Sequence, residues 1–241
     1  MGAALQNAEV VVVGGTSGMG LEIARSVASL GARVTAVGRS AERVRVAQES
    51  LGSSVTVRPL DMTDERAVQS FFSGFRSIDH LVVTATGRAH LFGTVVETPT
   101  ADVRSMLDNR FSGTYNIVRY AAPLMPAAGS ITLFSGTSAV KSRAGAAVLS
   151  AALAAVEALA RTLALELAPI RVNVVRPGSV DTPLLRGVIP NLDEVAPTLG
   201  AALPVKRIGA PADIAHAVLF LMTNPFTTGS VLGIDGGGAV T

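Results

Sequence analysis

The sequence predicts a doubly wound α/β fold, in which one parallel sheet of seven strands carries helices on both faces. Short apolar runs alternate with helical patterns along all 241 residues. The runs are apolar throughout, as is typical of parallel strands that are covered on both faces. Since no linker, repeat or low-complexity stretch interrupts this alternation, we expect a single domain over residues 1–241.

The predicted elements follow one another in simple alternation. We predict strands near Val10–Val13, Arg33–Val37, Ser54–Val57, His80–Ala85, Ser130–Phe134, Arg171–Val175 and Val231–Ile234. We predict helices at Gly18–Leu30, Ala41–Leu51, Asp64–Phe75, Ala101–Leu124, Ala146–Leu167 and Pro211–Met222. A chain of this length is sufficient to enclose one large core.

A glycine-rich turn, Gly14-Gly15-Thr16-Ser17-Gly18-Met19-Gly20, joins the first predicted strand to the first predicted helix. Glycine lets the backbone turn tightly and approach a ligand closely. The free N–H groups and the positive dipole at the start of the helix favour an anionic pyrophosphate. Such turns also arise for steric reasons alone, but the four-valine strand before this one favours dinucleotide binding.

The second strand ends in Val37-Gly38-Arg39-Ser40. In dinucleotide-binding folds an acidic residue near this point binds the adenosine ribose, whereas an arginine accommodates a 2′-phosphate. Gly38 stands at the acidic position and Arg39 follows it, so the sequence favours NADP(H) over NAD(H). The alternative is that Arg39 is a solvated residue before a helix, as Arg43 and Arg45 can be on the helix itself.

Asp61-Met62-Thr63 closes the third strand. Asp61 is placed to accept a hydrogen bond from an adenine amino group. Asp61 or Thr63 could equally cap the helix that begins near Asp64. The two roles are compatible across these residues.

The composition argues against other classes of protein. Cysteine is absent, and His80, His90 and His216 are scattered with no metal-ligand spacing, so we expect no disulfide and no metal. A formal net charge of +2 without any tryptophan argues against a nucleic-acid surface. The most apolar stretch, Ala144–Val156, is interrupted by Ser150 and is shorter than the roughly 20 residues of a spanning helix. With no signal pattern at the start, we expect a cytoplasmic protein without a membrane partner.

Motifs along the rest of the chain match one family. Thr84-Ala85-Thr86-Gly87 follows the fourth strand, Asn109 lies in the long helix after it, and Arg176-Pro177-Gly178-Ser179-Val180-Asp181-Thr182 follows the sixth strand. Near the C-terminus stand Arg207-x-Gly209-x-Pro211-x-Asp213-Ile214-Ala215 and Thr228-Gly229-x-x-Leu232-x-x-Asp235-Gly236-Gly237. With the glycine-rich turn, in which Val13 replaces a commoner Thr, these motifs resemble the short-chain dehydrogenase/reductase family, whose fold is of the Rossmann type.

The resemblance implies a set of cofactor-binding residues. They are Gly14, Thr16, Ser17, Gly18, Met19, Gly20, Arg39, Ser40, Asp61, Met62, Thr84, Ala85, Gly87, Pro177, Gly178, Val180 and Thr182. Asn109 matches the asparagine of the family's catalytic tetrad. The resemblance also implies a homodimer or homotetramer formed through the helices Ala101–Leu124 and Ala146–Leu167, and a substrate lid over Pro183–Leu203.

The other three members of the tetrad are missing. In the family a Tyr exchanges a proton with the substrate, a Lys four residues later lowers the Tyr pKa and binds the nicotinamide ribose, and a Ser orients the substrate. The segment that aligns with the common Tyr-Ser-Ala-Ser-Lys pattern reads Leu149-Ser150-Ala151-Ala152-Leu153, and the serine position falls on Gly136. The only tyrosines, Tyr115 and Tyr120, precede no Lys at the family's spacing.

Replacement groups can be proposed from the sequence. His90 is the titratable candidate for a substitute acid. Ser135, Thr137 and Ser138 surround the vacant serine position, and Lys141 and Arg143 lie in the next loop, where solvated charges are common. Two leucines beside a nicotinamide would make the floor of the site apolar and favour an apolar small-molecule substrate.

Three functions therefore remain open. The first is an atypical NADP-dependent oxidoreductase with a nonstandard proton source, which the cofactor motifs favour. The second is a redox-inactive, cofactor-binding sensor or scaffold. The third is a non-redox isomerase, cyclase or lyase that uses the same cleft.

Overall fold

The run of valines near the N-terminus forms an interior strand of a parallel sheet. The computed structural model describes residues 5–85 and 92–241. Within these ranges the strands are β1 (Glu9–Val13), β2 (Arg33–Gly38), β3 (Val55–Pro59), β4 (His80–Val83), β5 (Ser130–Phe134), β6 (Arg171–Pro177) and β7 (Val231–Ile234). The strand order is β3-β2-β1-β4-β5-β6-β7, with every neighbouring pair parallel. The predicted seven-stranded, Rossmann-type sheet is confirmed.

Helices cover both faces of this sheet. Their bounds are α1 (Gly18–Ser29), α2 (Ala41–Leu51), α3 (Glu65–Phe72), α4 (Thr100–Leu107), α5 (Gly113–Ala121), α6 (Ala147–Glu166), α7 (Pro183–Val188), α8 (Leu192–Ala201) and α9 (Pro211–Thr223). Successive strand residues face opposite sides, so β1 contributes Val10 and Val12 to a core with α1 and α9. Val11 and Val13 belong to the other core, together with α5 and α6.

The long helix predicted at Ala101–Leu124 is divided into separate pieces. α4 ends at Leu107, a π-helical turn covers Asp108–Ser112, and α5 follows from Gly113. A 3₁₀ turn then closes the segment where Pro123 lacks the N–H that a continuing helix needs. π-helical turns of this kind occur often at functional sites, and this one lies beside the cleft described below.

The segment after β6 contains two helices that the sequence analysis did not predict. α7 begins with Pro183 directly after Thr182, whose side chain accepts a hydrogen bond from the Leu185 nitrogen at 3.3 Å. A capping Thr followed by Pro at the first helical position is a recognised start signal. α8 follows over Leu192–Ala201, so the predicted lid region Pro183–Leu203 is mostly helical.

α6 is apolar because it packs inside the domain. By length and composition its 20 residues are sufficient to cross a membrane, with a mean hydropathy of 1.7. Core helices of soluble proteins meet the same criteria, and α6 packs against β5 and β6 with eight residues buried, among them Leu149, Leu153 and Val156. The helix therefore supplies core contacts and one wall of the site.

Candidate cofactor and active site

An open cleft lies at the carboxyl ends of β1, β2 and β4. Strand order reverses here, because β2 and β4 flank β1 on opposite sides, and ligands of doubly wound sheets bind in such crevices. The lining residues are Val13, Gly14, Thr16, Ser17, Gly18, Met19, Gly20, Val37, Gly38, Arg39, Ser40, Arg43, Leu60, Asp61, Met62, Thr84, Ala85, Asn109, Thr182, Pro183 and Leu184. The fold thus brings together most of the residues that were predicted for the cofactor.

Gly14 lies against the end of β4 in a conformation that favours glycine. Its φ is +88°, and a Cβ atom there would come within 2.5 Å of Thr84 Oγ1 and 2.6 Å of the Ala85 nitrogen. Thr84 Oγ1 donates a hydrogen bond to the Val13 carbonyl at 3.1 Å. Any side chain at position 14 would force the turn away from β4 and reshape the cleft.

The first turn of α1 faces this cleft with its N–H groups. Ser17 is the N-cap residue, and in the described part of the chain its side chain accepts no hydrogen bond from the turn. The first turn carries no acidic residue. Uncapped N–H groups at the positive end of a helix are good donors to phosphate. The residues Ser17, Gly18, Met19 and Gly20 therefore fit an anionic pyrophosphate.

Gly38 stands at the position where many dinucleotide-binding folds carry an acidic residue. A Cβ atom at Gly38 would overlap the side chain of Thr16, which fills that space. An aspartate at position 38, the ribose-binding residue of NAD-dependent folds, could not be accommodated without moving Thr16. The structure thus gives a steric reason for the missing acidic residue.

Two arginines border the same end of the cleft. Arg39 Nη1 lies 3.8 Å from Asp61 Oδ2, and both side chains are partly exposed. Arg43, which the sequence analysis left open as a surface residue, also lines the cleft. Arg45 instead bonds Glu42 and Glu49 on the exposed side of α2. Arg43 lies in the first turn of α2, which begins directly after Arg39 and Ser40, and this position was the signal that it could share the site.

Asp61 is held in place by its own loop. Its Oδ1 atom accepts hydrogen bonds from the nitrogen and hydroxyl of Thr63 at 3.0 and 2.7 Å. The residue that caps α3 is Asp64, whose side chain accepts a hydrogen bond from the Ala67 nitrogen at 3.0 Å. Neither Asp61 nor Thr63 does so. The capping alternative for Asp61 and Thr63 is therefore wrong, and Asp61 lines the cleft beside Met62.

The segment Pro177–Thr182 contributes to the cleft at one end only. Thr182, Pro183 and Leu184 line it. Pro177 accepts a hydrogen bond from Thr137 Oγ1 at 3.0 Å, Gly178 packs against Asp235, and Val180 is buried in the core. The assignment of Pro177, Gly178 and Val180 to the cofactor stays a prediction. The predicted Gly87 and His90 lie outside the described residues.

An apolar cluster lies at the start of α6. Leu149 and Leu153 are 7% and 3% exposed, and they pack with Met106 of α4 and with Ala152. A Cβ atom added to Gly136 would lie 3.3 Å from Leu153 Cδ1. These side chains neither donate nor accept a proton. The sequence predicts them at the family's tyrosine, lysine and serine positions, and this assignment stays a prediction.

Comparison with known proteins gives one consistent result. A family model described as enoyl-(acyl carrier protein) reductase matches residues 13–239. The human 3-oxoacyl-[acyl-carrier-protein] reductase is 32% identical over 94% of this chain and 95% of its own length. A small-chain dehydrogenase solved in complex with NADPH is 34% identical, with a TM-score of 0.85 over 98% of this chain and 100% of that one. The MalC reductase/Diels-Alderase of Malbranchea aurantiaca is 26% identical, with a TM-score of 0.92 over 100% and 99% of the two chains.

The chain belongs to the short-chain dehydrogenase/reductase family. The resemblance that its sequence motifs carry is thereby confirmed.

A largely buried ion pair joins Glu157 of α6 to Arg176 of β6. Glu157 accepts hydrogen bonds from Ser135 Oγ at 2.7 Å, from Arg176 Nε at 2.8 Å and from Arg176 Nη2 at 2.7 Å. Burial raises the pKa of the Glu157 carboxyl, but these hydrogen bonds outweigh it and hold the pKa below its ordinary value. The Ser135 hydroxyl is thus engaged by Glu157, which leaves it poorly suited to replace the family's serine.

The other proposed replacement groups are also engaged in local contacts. Lys141 Nζ donates to the carbonyl of Gly238 at 2.9 Å and to that of Thr241. The Arg143 guanidinium lies 4.7 Å from the centre of the Phe92 ring. Tyr120 donates to Glu65 at 2.8 Å on the surface, and Tyr115 is exposed. None of these described contacts brings a proton donor to Leu149.

A second cavity, of about 340 Å³, adjoins the leucine cluster. Leu149 belongs to both, because its side chain packs in the cluster and also lines this cavity. The remaining lining residues are Phe92, Gly93, Glu97, Thr98, Pro99, Asp102, Met106, Gly145 and Val148. The cavity is therefore a candidate pocket for a substrate with an apolar part.

Asn109 and the residue after it lie in the π-helical turn. Asn109 Nδ2 donates to the Ser105 carbonyl at 2.7 Å, and the residue lines the main cleft together with Met62 and Ala85. Arg110, which the sequence analysis passed over, is only 8% exposed. A sequence signal for the burial of Arg110 was available, because this charged residue lies on a helix face that is otherwise apolar and includes Met106.

Proposed function

We propose that this protein is an NADP(H)-binding oxidoreductase with a nonstandard active site. The observation that carries the proposal is the adenosine end of the cleft, where Thr16 occupies the space of an acidic side chain at Gly38 while Arg39 and Arg43 supply positive charge. The named relative that was solved with NADPH supports the same choice of cofactor. When bound, NADP(H) supplies hydride, which is the cofactor's own chemistry.

The residues of this chain would then bind and orient the dinucleotide. The uncapped first turn of α1 would hold the pyrophosphate, and Arg39 and Arg43 the 2′-phosphate. Asp61 is placed to accept from the adenine amino group. Leu149 and Leu153 would exclude water from the floor and favour a small apolar substrate.

Binding of cofactor tests the proposal directly. We expect titration calorimetry to give NADPH a Kd at least about tenfold lower than that of NADH, because a charged hydrogen bond contributes about 1.5–3 kcal/mol. Arg39→Ala and Arg43→Ala should each remove most of this preference, whereas the matched control Arg45→Ala on the exposed side of α2 should keep it. Equal affinity for the two cofactors, or no binding of either, would contradict the proposal.

Turnover separates this function from the second candidate, a non-redox cyclase, isomerase or lyase. The apolar floor favours that candidate, since it lacks the proton donor that ordinary carbonyl reduction needs, and one structural relative is named a reductase/Diels-Alderase. NADPH consumption with any of a panel of apolar carbonyl or enone substrates supports the oxidoreductase. Tight NADPH binding with no consumption across the panel would instead support a redox-inactive binding protein or the non-redox enzyme.

We further propose a homo-oligomer formed through α6. The outward side of this helix presents Ala151, Ala154 and Ala158, which are exposed although the helix is apolar. Small side chains of this kind let two helices approach closely. The same helix carries Leu149 and Leu153, so assembly would also rigidify the wall of the site.

A further inference from the structure

Arg110 is a buried cation without a carboxylate partner. It is 8% exposed, and in the described part of the chain its Nε atom has no hydrogen-bond partner. Within residues 5–85 and 92–241 its guanidinium lies within 4 Å of no carboxylate. The two stretches outside the description, residues 1–4 and 86–91, contain no Asp or Glu. No acidic side chain of the chain therefore neutralises this charge. Burial lowers the pKa of Arg110 to about 10, which still leaves it charged at neutral pH.

The position of Arg110 in the fold places it beside the leucine cluster. Arg110 follows Met106 by four residues, which is close to one turn in an α- or a π-helix, and both side chains are buried. Met106 packs against Leu149 and Leu153. Further along the chain, Ile117 of α5 belongs to the same core as Val156 of α6. Leu149 and Leu153 are on α6 as well. Since α5 and α6 each follow a strand of one parallel sheet, they run in the same direction, and Arg110 falls near the level of Leu153.

This level is where the charge of the family's lysine is missing. A buried, unpaired cation is costly, so it persists only where something compensates it. The adjoining Asn109 lines the main cleft, and the helical turn that carries both residues is π-helical, a conformation found often at functional sites. Arg110 is not itself among the residues that line the cleft. A ligand bound beside Asn109 would bring oxygen atoms towards this turn, and the donors of the Arg110 guanidinium are rigidly arranged.

We propose that Arg110 supplies, from the π-helical turn, the positive charge and hydrogen-bond donors that Leu153 lacks at the nicotinamide-ribose end of the cleft. The inference rests on the proposed binding of NADP(H). It assigns Arg110 to cofactor binding and positioning, with the cation moved from α6 to the neighbouring helical segment.

The experiment compares a whole cofactor with a fragment of it. Titration calorimetry measures the Kd of NADPH and of 2′,5′-ADP, which contains the adenosine end but no nicotinamide ribose. We expect Arg110→Met to weaken NADPH about 10- to 100-fold, as for loss of a charged hydrogen bond, and to leave 2′,5′-ADP unchanged. Arg110→Lys should retain part of the affinity, and the exposed control Arg104→Met should change neither Kd.

A rescue variant keeps the test independent of stability. Arg110→Met with Leu153→Lys returns a cation to the family's position and should restore most of the NADPH affinity, with the Tm of each variant measured alongside. Unchanged NADPH affinity in Arg110→Met, or an equal loss for both ligands, would overturn the inference while leaving NADP(H) binding itself established. If the unmodified protein binds neither ligand, the proposed function falls and the inference falls with it.

Discussion

Gly136 and Leu153 fill one space between them. A Cβ atom on Gly136 would lie 3.3 Å from Leu153 Cδ1, which is tighter than ordinary van der Waals contact. The two positions are 17 residues apart in the chain, and the sequence motifs predict them at the family's serine and lysine positions. The side chains that these two positions can carry are coupled by packing, because the leucine occupies room that a serine side chain would need.

This contact predicts that the effect of Gly136→Ser on stability depends on which residue stands at position 153. Gly136→Ser alone should destabilise the protein by about 1–3 kcal/mol, since overpacking strains a filled core. Leu153→Lys in the same chain should relieve the crowding. Thermal unfolding of the two single variants and the double variant measures this coupling, and simple additivity of their effects would contradict it.

The complete restoration tests whether the cleft otherwise remains that of a reductase. Gly136→Ser, Leu149→Tyr and Leu153→Lys together should raise NADPH-dependent carbonyl reduction by about 10²- to 10⁴-fold, the contribution of a positioned general acid. Gly136→Ser with Leu153→Lys, which lacks the tyrosine, is the matched control and should stay slow. If the triple variant binds NADPH but remains inactive, the substrate pocket has diverged as well.

The ion pair of Glu157 and Arg176 should be important for stability. Both side chains are shielded, at 7% and 18% exposure, and Glu157 also accepts from Ser135. Glu157→Ala should lower the free energy of unfolding by about 1–3 kcal/mol, because it leaves the partly buried Arg176 without its hydrogen-bond partner. Urea unfolding of Glu157→Ala, Arg176→Met and the double variant measures the coupling. The exposed pair of Glu42 and Arg45 is the control, and breaking it should have no measurable effect.

Stability should fall below neutral pH because of His80. His80 lies in β4 with Nδ1 2.8 Å from Ser130 Oγ on β5, and burial lowers its pKa from 6.5 to about 4. The unfolded chain therefore takes up a proton at a higher pH than the folded chain. The contribution of His80 is complete above about pH 6.5 and is lost as the pH falls towards 4, with about 2 kcal/mol lost by pH 5.

Chemical unfolding at pH 7 and pH 5 checks this pH dependence. His80→Asn keeps a polar atom near Ser130 and should show a smaller loss of stability between the two pH values. His216→Asn is the control and should keep the full loss. Equal pH dependence in the unmodified protein and in His80→Asn would assign the effect to carboxyl groups instead.

Assembly through α6 predicts a change of molar mass. Ala154→Arg places a long charged side chain on the exposed alanine surface and should convert the oligomer to a monomer in light scattering coupled to size-exclusion chromatography. Ser70→Arg, on the exposed side of α3, is the matched control and should leave the mass unchanged. A monomeric unmodified protein, or an unchanged mass in Ala154→Arg, would contradict the proposed interface.

The sequence alone was sufficient for the sheet and for most of the cofactor cleft. Continuous apolar strands such as Val10–Val13 and punctuating glycines such as Gly14 are local signals, since strand burial and tight turns depend on nearby residues. The identity of Leu149, Leu153 and Gly136 could also be read directly from aligned motifs. The predicted departure from the family's catalytic residues therefore rests on the sequence.

Only the tertiary structure decided how distant residues share space and charge. That Thr16 fills the place of a side chain at Gly38, and that Leu153 packs on Gly136, depends on contacts between separate elements. The burial of Arg110 depends on a π-helical turn that α6 packs against, and no local pattern specified that turn. Packing and desolvation are set by neighbours that the fold brings together, so the chain order cannot reveal them.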